Sequence, residues 1–177
     1  MADSKRLTVL KKLCGFLAAE VTVVNGYKHT LTAAVFRGRM FSTNNDPLPM
    51  VTILENIDPD RYPRPAGGGG NEHVTTNEDW VLLVQGWAVD DKENPCDTAY
   101  ELMADVRKAL AKLKQRPHPV TGGPENPNYL LGGLIAGMTM EPGIARPPIE
   151  QVSSKAFFWM RVVLKFVEDP NDPYKLN

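Results

Sequence analysis

Apolar residues recur at Leu7, Leu10, Leu13, Cys14, Leu17 and Val21, the three-and-four spacing that puts side chains on one face of an α-helix. Lys5, Lys11, Lys12 and Glu20 fall off that line. Ser4 offers an N-cap, and Asn25-Gly26 punctuates the end. A second amphipathic run follows in "NPCDTAYELMADVRKALAKLKQ", with Asn94 as N-cap, Pro95 at the first helical position and Asp97 in the first turn. Its predicted buried stripe is Ala99, Leu102, Met103, Val106, Ala109, Leu110 and Leu113, with Asp105, Lys108, Lys112 and Lys114 off it.

The other apolar stretches read as strands. "LTAAVFRG" and "LPMVTILEN" carry β-branched and apolar residues between turn formers. "DWVLLVQGWAVD" is apolar on both sides from Trp80 to Val89, which suits a central strand or an interface. Its expected partner is the strand from Leu48 to Asn56. In "KAFFWMRVVLKFVED" the even positions from Ala156 to Phe166 are wholly apolar. The odd side mixes Phe157, Trp159, Arg161, Val163 and Lys165. "YLLGGLIAGMTMEP" is a weaker strand, with Gly132, Gly133 and Gly137 suggesting a bend. Pro142, Pro147 and Pro148 mark the link to the last strand.

Proline and glycine interrupt the pattern from Ile57 to Asn77 and from Arg116 to Asn128, so both stretches are expected as connections. The order predicts one α+β domain over residues 1–177, with a single mostly antiparallel sheet and both helices on one face. A flexible loop over residues 57–77 and a mobile C-terminal tail over 168–177 complete that expectation.

Composition narrows the function. With 20 basic and 21 acidic residues in 177, nothing in the balance argues for a nucleic-acid footprint or a polybasic anchor. No apolar run approaches the roughly 20 residues that span a bilayer, and the start lacks the apolar core of a signal peptide. Cys14 and Cys96 lack CxxC spacing, so they read as small thiols inside helices in a reducing compartment.

The glycines from Gly67 to Gly70 lead into a strand, with no Lys-Ser or Lys-Thr and no helix start, so they do not form a phosphate cradle. His29, His73 and His118 sit in three different connections and read as exposed loop histidines, without metal-ligand spacing. Asp90, Asp91, Glu93 and Asp97 read as a solvated helix cap. The serines lack the nucleophile elbow of hydrolases. No catalytic residue, cofactor or metal ligand is expected.

The chain resembles the tail terminator, or tail completion, proteins of tailed bacteriophages. The resemblance rests on the N-terminal helix, the strand "LPMVTI" from Leu48, a variable loop, the strand "WVLLV" from Trp80, and the turn Asn94-Pro95-Cys96-Asp97 into a long helix. It covers about residues 4 to 116. The glycine-rich loop is longer than that family's pattern, and the part from Pro117 onward is extended. The resemblance implies a structural virion protein, not an enzyme: a homohexameric ring in the virion neck or tail, assembled in the host cytoplasm, that caps the tail tube. Its implied partners are copies of itself, the tail tube protein, and a neck, adaptor or portal-side protein. It implies no specific nucleic-acid contact, although DNA crosses the lumen of such a ring.

Expected contact residues are Arg61, Arg64, Gly67, Gly68, Gly69, Gly70 and His73 in the loop, with Trp87, Trp159, Arg161 and Lys165 on strands. Two other readings compete. One is a small-molecule-binding or hydrolytic enzyme built around His73, Asp79 and loop carboxylates. The other is a nucleic-acid-handling protein using Arg37, Arg39, Arg61 and Arg64.

Overall fold

The computed structural model describes residues 2–43, 45–55, 76–116, 126–149 and 153–176. Helix α1 runs Lys5–Glu20, and the Ser4 hydroxyl accepts a hydrogen bond from the Leu7 N–H. Its end is closed by Asn25, whose side-chain amide donates to the Ala19 and Glu20 carbonyls, before Gly26 turns the chain at φ +78°. The buried line is Lys5, Val9, Leu13, Leu17 and Val21, a strict four-residue ladder, with Cys14 beside it. Leu7 is exposed and Leu10 only half-buried, so the expected stripe is displaced toward Val9. Lys5, expected outside, is buried with its ammonium 5.7 Å from the centre of the Phe166 ring.

Strand β1 is Val35–Arg37, β2 Met50–Glu55 and β3 Thr76–Ala88. Only three residues of "LTAAVFRG" extend. Leu31 and Ala34 instead bury themselves through a turn, with the Ala34 N–H donating to the Leu31 carbonyl. β1 pairs parallel with β2, and β2 pairs antiparallel with β3, its expected partner, while the two-sided apolarity of β3 fits its place between β2 and β6. Most of the expected loop lies outside the described residues, while Thr76 and Asn77 belong to β3.

Helix α2 runs Asp97–Lys112. It starts two residues later than the Asn94 cap predicts: Cys96 occupies the cap, and Asn94 and Pro95 form the turn before it. Every residue of the expected stripe is buried, and so is Asp105. Leu102, Asp105, Val106 and Ala109 share one face, so spacing places Asp105 on the stripe that its charge suggests it should leave.

Beyond Asn126, the segment expected as the start of a strand is a left-handed turn. Leu130, Leu131, Gly132 and Gly133 all have positive φ, from +48° to +81°. Leucine tolerates this only where its surroundings demand it. Here the Leu130 N–H caps α2 at the Leu113 carbonyl and Leu131 enters the core. β4 is therefore short, Gly137–Met140, and β5, Ile144–Arg146, forms in what reads as a linker. Both pair antiparallel with β6, Ala156–Glu168. Met140 lies opposite Val162 and Ile144 opposite Trp159, so four steps along one strand match three along the other. β4 and β5 are thus one edge strand broken by a bulge at Glu141 to Gly143. After β6 the chain folds back: the Pro173 carbonyl accepts from the Lys5 N–H, so the stretch expected as a tail is tied to the start of α1.

The chain is α+β, with a mixed six-stranded sheet ordered β1-β2-β3-β6-β4, β5 also pairing β6. Even-numbered residues of β3 and β6 oppose one another and form the face against the helices. Trp80, Leu82, Val84 and Ala88 lie there with Phe158, Met160, Val162, Leu164 and Phe166, all buried. Gly86 is needed on that face because the ring of Phe158, its cross-strand partner, occupies the space a Cβ would take. Arg6 binds Glu78 on β3 and Glu168 on β6 while its guanidinium lies over Trp80 and Phe166, latching α1 across the sheet's central pair.

Candidate functional site: the second face of the sheet

Cross-strand register sorts the opposite face. Met50, Thr52, Leu54, Trp87 and Phe157 fill its β2 side and are buried. The connection after β1 crosses there, since the Arg39 N–H donates to the Thr52 hydroxyl at 3.3 Å. Toward β6 and the edge strand, burial fades. Leu83, Gln85, Trp159, Arg161 and Val163 are half-buried, while Ile144 and Lys165 are exposed. Among the described residues both helices lie on the other face, and neither helix covers this one.

Trp159 is fixed by its neighbours. Its ring stacks on Phe157 at 5.6 Å between centroids and 25° between planes, as residues two apart on one strand face can. Arg161 Nη1 lies 3.1 Å from Glu141 Oε2, which pins the guanidinium beside the bulge. The aliphatic stem of Lys165 lies along Gly137, its cross-strand partner, leaving the ammonium at the rim. The result is an aromatic and aliphatic strip bounded by two cations.

The expected contact residues therefore divide. Trp159, Arg161 and Lys165 meet on this strip. Trp87 shares the face but is 2% exposed, so its place is inside the protomer and not at a surface. Arg61, Arg64, Gly67, Gly68, Gly69, Gly70 and His73 lie outside the described residues, as does His118. Ile144, opposite Trp159, was hidden in the proline-rich link. Its signal was the short alternation Ile144-Ala145-Arg146.

Other polar groups act structurally. His29, expected as an exposed loop residue, is half-buried with Nδ1 2.8 Å from Asp105 Oδ2, and the same oxygen accepts the Lys28 and His29 N–H groups at 3.0 Å. That carboxylate is occupied in pinning the 28–29 turn to α2. Of the acidic run, Asp90 accepts the Ala156 N–H, tying the start of β6. Asp91 caps the turn before α2 through the Glu93 and Asn94 N–H groups, which hold its carboxyl below the usual range. Arg39 lies 3.8 Å over the Phe36 ring and binds Asp46, while Arg37 and Asp79 are exposed. Among the described residues no three His, Cys, Asp or Glu side chains are grouped to hold a metal ion, and no helix is long and apolar enough to cross a membrane.

No protein-family model matches the chain, and no curated protein matches it either.

Proposed function

We propose that this protein is a structural subunit that assembles into a ring capping a tubular particle, as tail terminators of tailed bacteriophages do. One observation carries the reading: among the described residues, both helices lie on one face of the sheet, and the second face ends in the half-buried strip around Trp159. A sheet face with apolar side chains is stable when another layer covers it. A strip with an aromatic centre and a cationic rim has the composition of a protein-protein contact.

In this reading the strip meets the next structural layer, the tube protein on one side or the neck protein on the other, and copies of the chain meet laterally around the ring. The particle is the virion tail or neck, and assembly takes place in the host cytoplasm. Negative-stain imaging of the purified full chain tests the proposal. Closed rings with a central hole are expected, and a field of single small particles at every concentration would sink it.

A further inference from the structure

A groove of about 330 Å³ lies between the outer face of α1 and the left-handed turn that follows α2. Gly15, Phe16, Ala19, Pro127 and Leu131 line its apolar part, and Gly15 and Ala19 keep it open because they have almost no side chain. The groove sits at the C-terminal end of α2: Asn126 donates to the Lys112 and Gln115 carbonyls, and Leu130 to that of Leu113. Its surroundings are basic. Lys12 lines it, and Lys114 and Arg116 are exposed at the same helix end, Arg116 held by the Tyr129 hydroxyl at 2.6 Å. Among the described residues that line it, Glu20 is the one carboxylate, and it already binds Tyr27 and Lys112.

The other end of α2 has the opposite character. Asp91, Glu93 and Asp97 are exposed there, beside Lys92. Among them stand two large apolar side chains in solvent, Val89 at 58% and Tyr100 at 52% exposure. The two ends are separated by the 16-residue helix, about 24 Å at 1.5 Å per residue. An acidic knob and a basic hole at opposite ends of one rod cannot satisfy each other within a protomer. They can satisfy each other between copies, head to tail, and such a contact closes into a ring when the rotation per step allows.

We propose that the groove receives the Tyr100 end of a second copy, with Tyr100 seated over Gly15 and Phe16 and the acidic run against Lys12, Lys114 and Arg116. This rests on the ring reading and assigns its lateral contact. Tyrosine is a frequent anchor because it buries much area for few rotatable bonds, and the charge match orients it and speeds encounter. Asp91 keeps its charge at neutral pH, because the Asn94 and Glu93 N–H groups hold its carboxyl below the usual range.

The test uses two variants of the full chain. Tyr100→Lys breaks the knob and leaves the groove intact, whereas Gly15→Arg fills the groove and leaves the knob. A Cβ at Gly15 meets nothing within 4 Å and Tyr100 is exposed, so both variants should fold, as circular dichroism would verify. In sedimentation velocity each variant alone should associate at least about tenfold more weakly than the unaltered chain. Mixed, they should form a heterodimer and nothing larger, since one intact knob then faces one intact groove. Association of the unaltered chain should also weaken at about 1 M salt, where screening acts within about 3 Å. Variants that assemble like the unaltered chain, or a mixture that stays monomeric, overturn this contact and leave the ring reading standing. An unaltered chain that never associates overturns both.

Discussion

Asp105 and His29 are 76 residues apart in the chain, yet Asp105 Oδ2 meets the His29 ring and both N–H groups of the turn that carries it. This carboxylate joins α2 to the loop that leaves α1. Asp105→Ala strands two backbone donors in a half-buried place, so it should lower unfolding free energy by about 2–3 kcal/mol. His29→Ala keeps both backbone bonds available and should cost about 1 kcal/mol or less. Urea denaturation of the two variants checks the order, and a larger loss for His29→Ala would reverse the assignment.

Two glycines should respond in opposite directions to the same substitution. At Gly86 a methyl would enter the Phe158 ring inside the core, so Gly86→Ala should destabilise by about 1–3 kcal/mol. At Gly15, in the interior of α1 with open space around it, Gly15→Ala should stabilise the monomer by about 0.5–1 kcal/mol. Thermal melts at high dilution measure both, and a Gly86→Ala variant as stable as the unaltered chain would show that the register of β3 against β6 is wrong.

Much of this was legible from pattern alone. β3 and β6 announce themselves because two-sided and even-side apolarity leave few alternatives, and α2 because every stripe residue follows the helical period. What stayed hidden is what hydrophobicity does not encode. Lys5 and Asp105 sit on core-facing helical positions, so position, not polarity, decided their burial, and their charges are met by Phe166 and by backbone N–H groups. The left-handed turn at Leu130 to Gly133 breaks a sequence that otherwise reads as β, because capping α2 and burying Leu131 require that path. The bulge that joins β4 to β5 was masked by Pro142 and Gly143, although Gly143 is the residue that lets Met103 approach. Of the contact strip, Trp159, Arg161 and Lys165 were readable from alternation, and Ile144 needed the register.

Tyr27 should titrate late. Burial, and then the Glu20 carboxylate 2.7 Å from its hydroxyl, push its phenol up to about 12. Because the folded value lies above the ordinary value of about 10, its contribution to stability is complete below pH 10 and is lost as pH rises toward 12. Glu20 runs the other way. Burial alone would raise its carboxyl, but bonds from Lys112 and Tyr27 hold it below the usual range, so its contribution is present at neutral pH and lost as pH falls through that lowered value. Absorbance at 295 nm should show a delayed tyrosinate that Tyr27→Phe removes. A uniform transition near pH 10 in the folded protein would contradict the Glu20–Tyr27–Lys112 cluster.

The two thiols should separate kinetically. Burial pushes Cys14 up to about 11, against a smaller lowering by Arg37, so at pH 8 only about one molecule in a thousand carries its thiolate. Cys96, half-buried at the start of α2, is open to reagent. Iodoacetamide at pH 8 should add one label quickly and a second only in denaturant. Two labels at equal rates in the folded chain would place Cys14 outside the core.

The central claim is that this fold is a part of a ring, and native mass spectrometry of the purified full chain over a range of concentrations tests it most directly. A single discrete closed oligomer, expected as a hexamer, should grow at the expense of monomer as concentration rises. Only the monomer mass at the highest concentration reached would contradict the account.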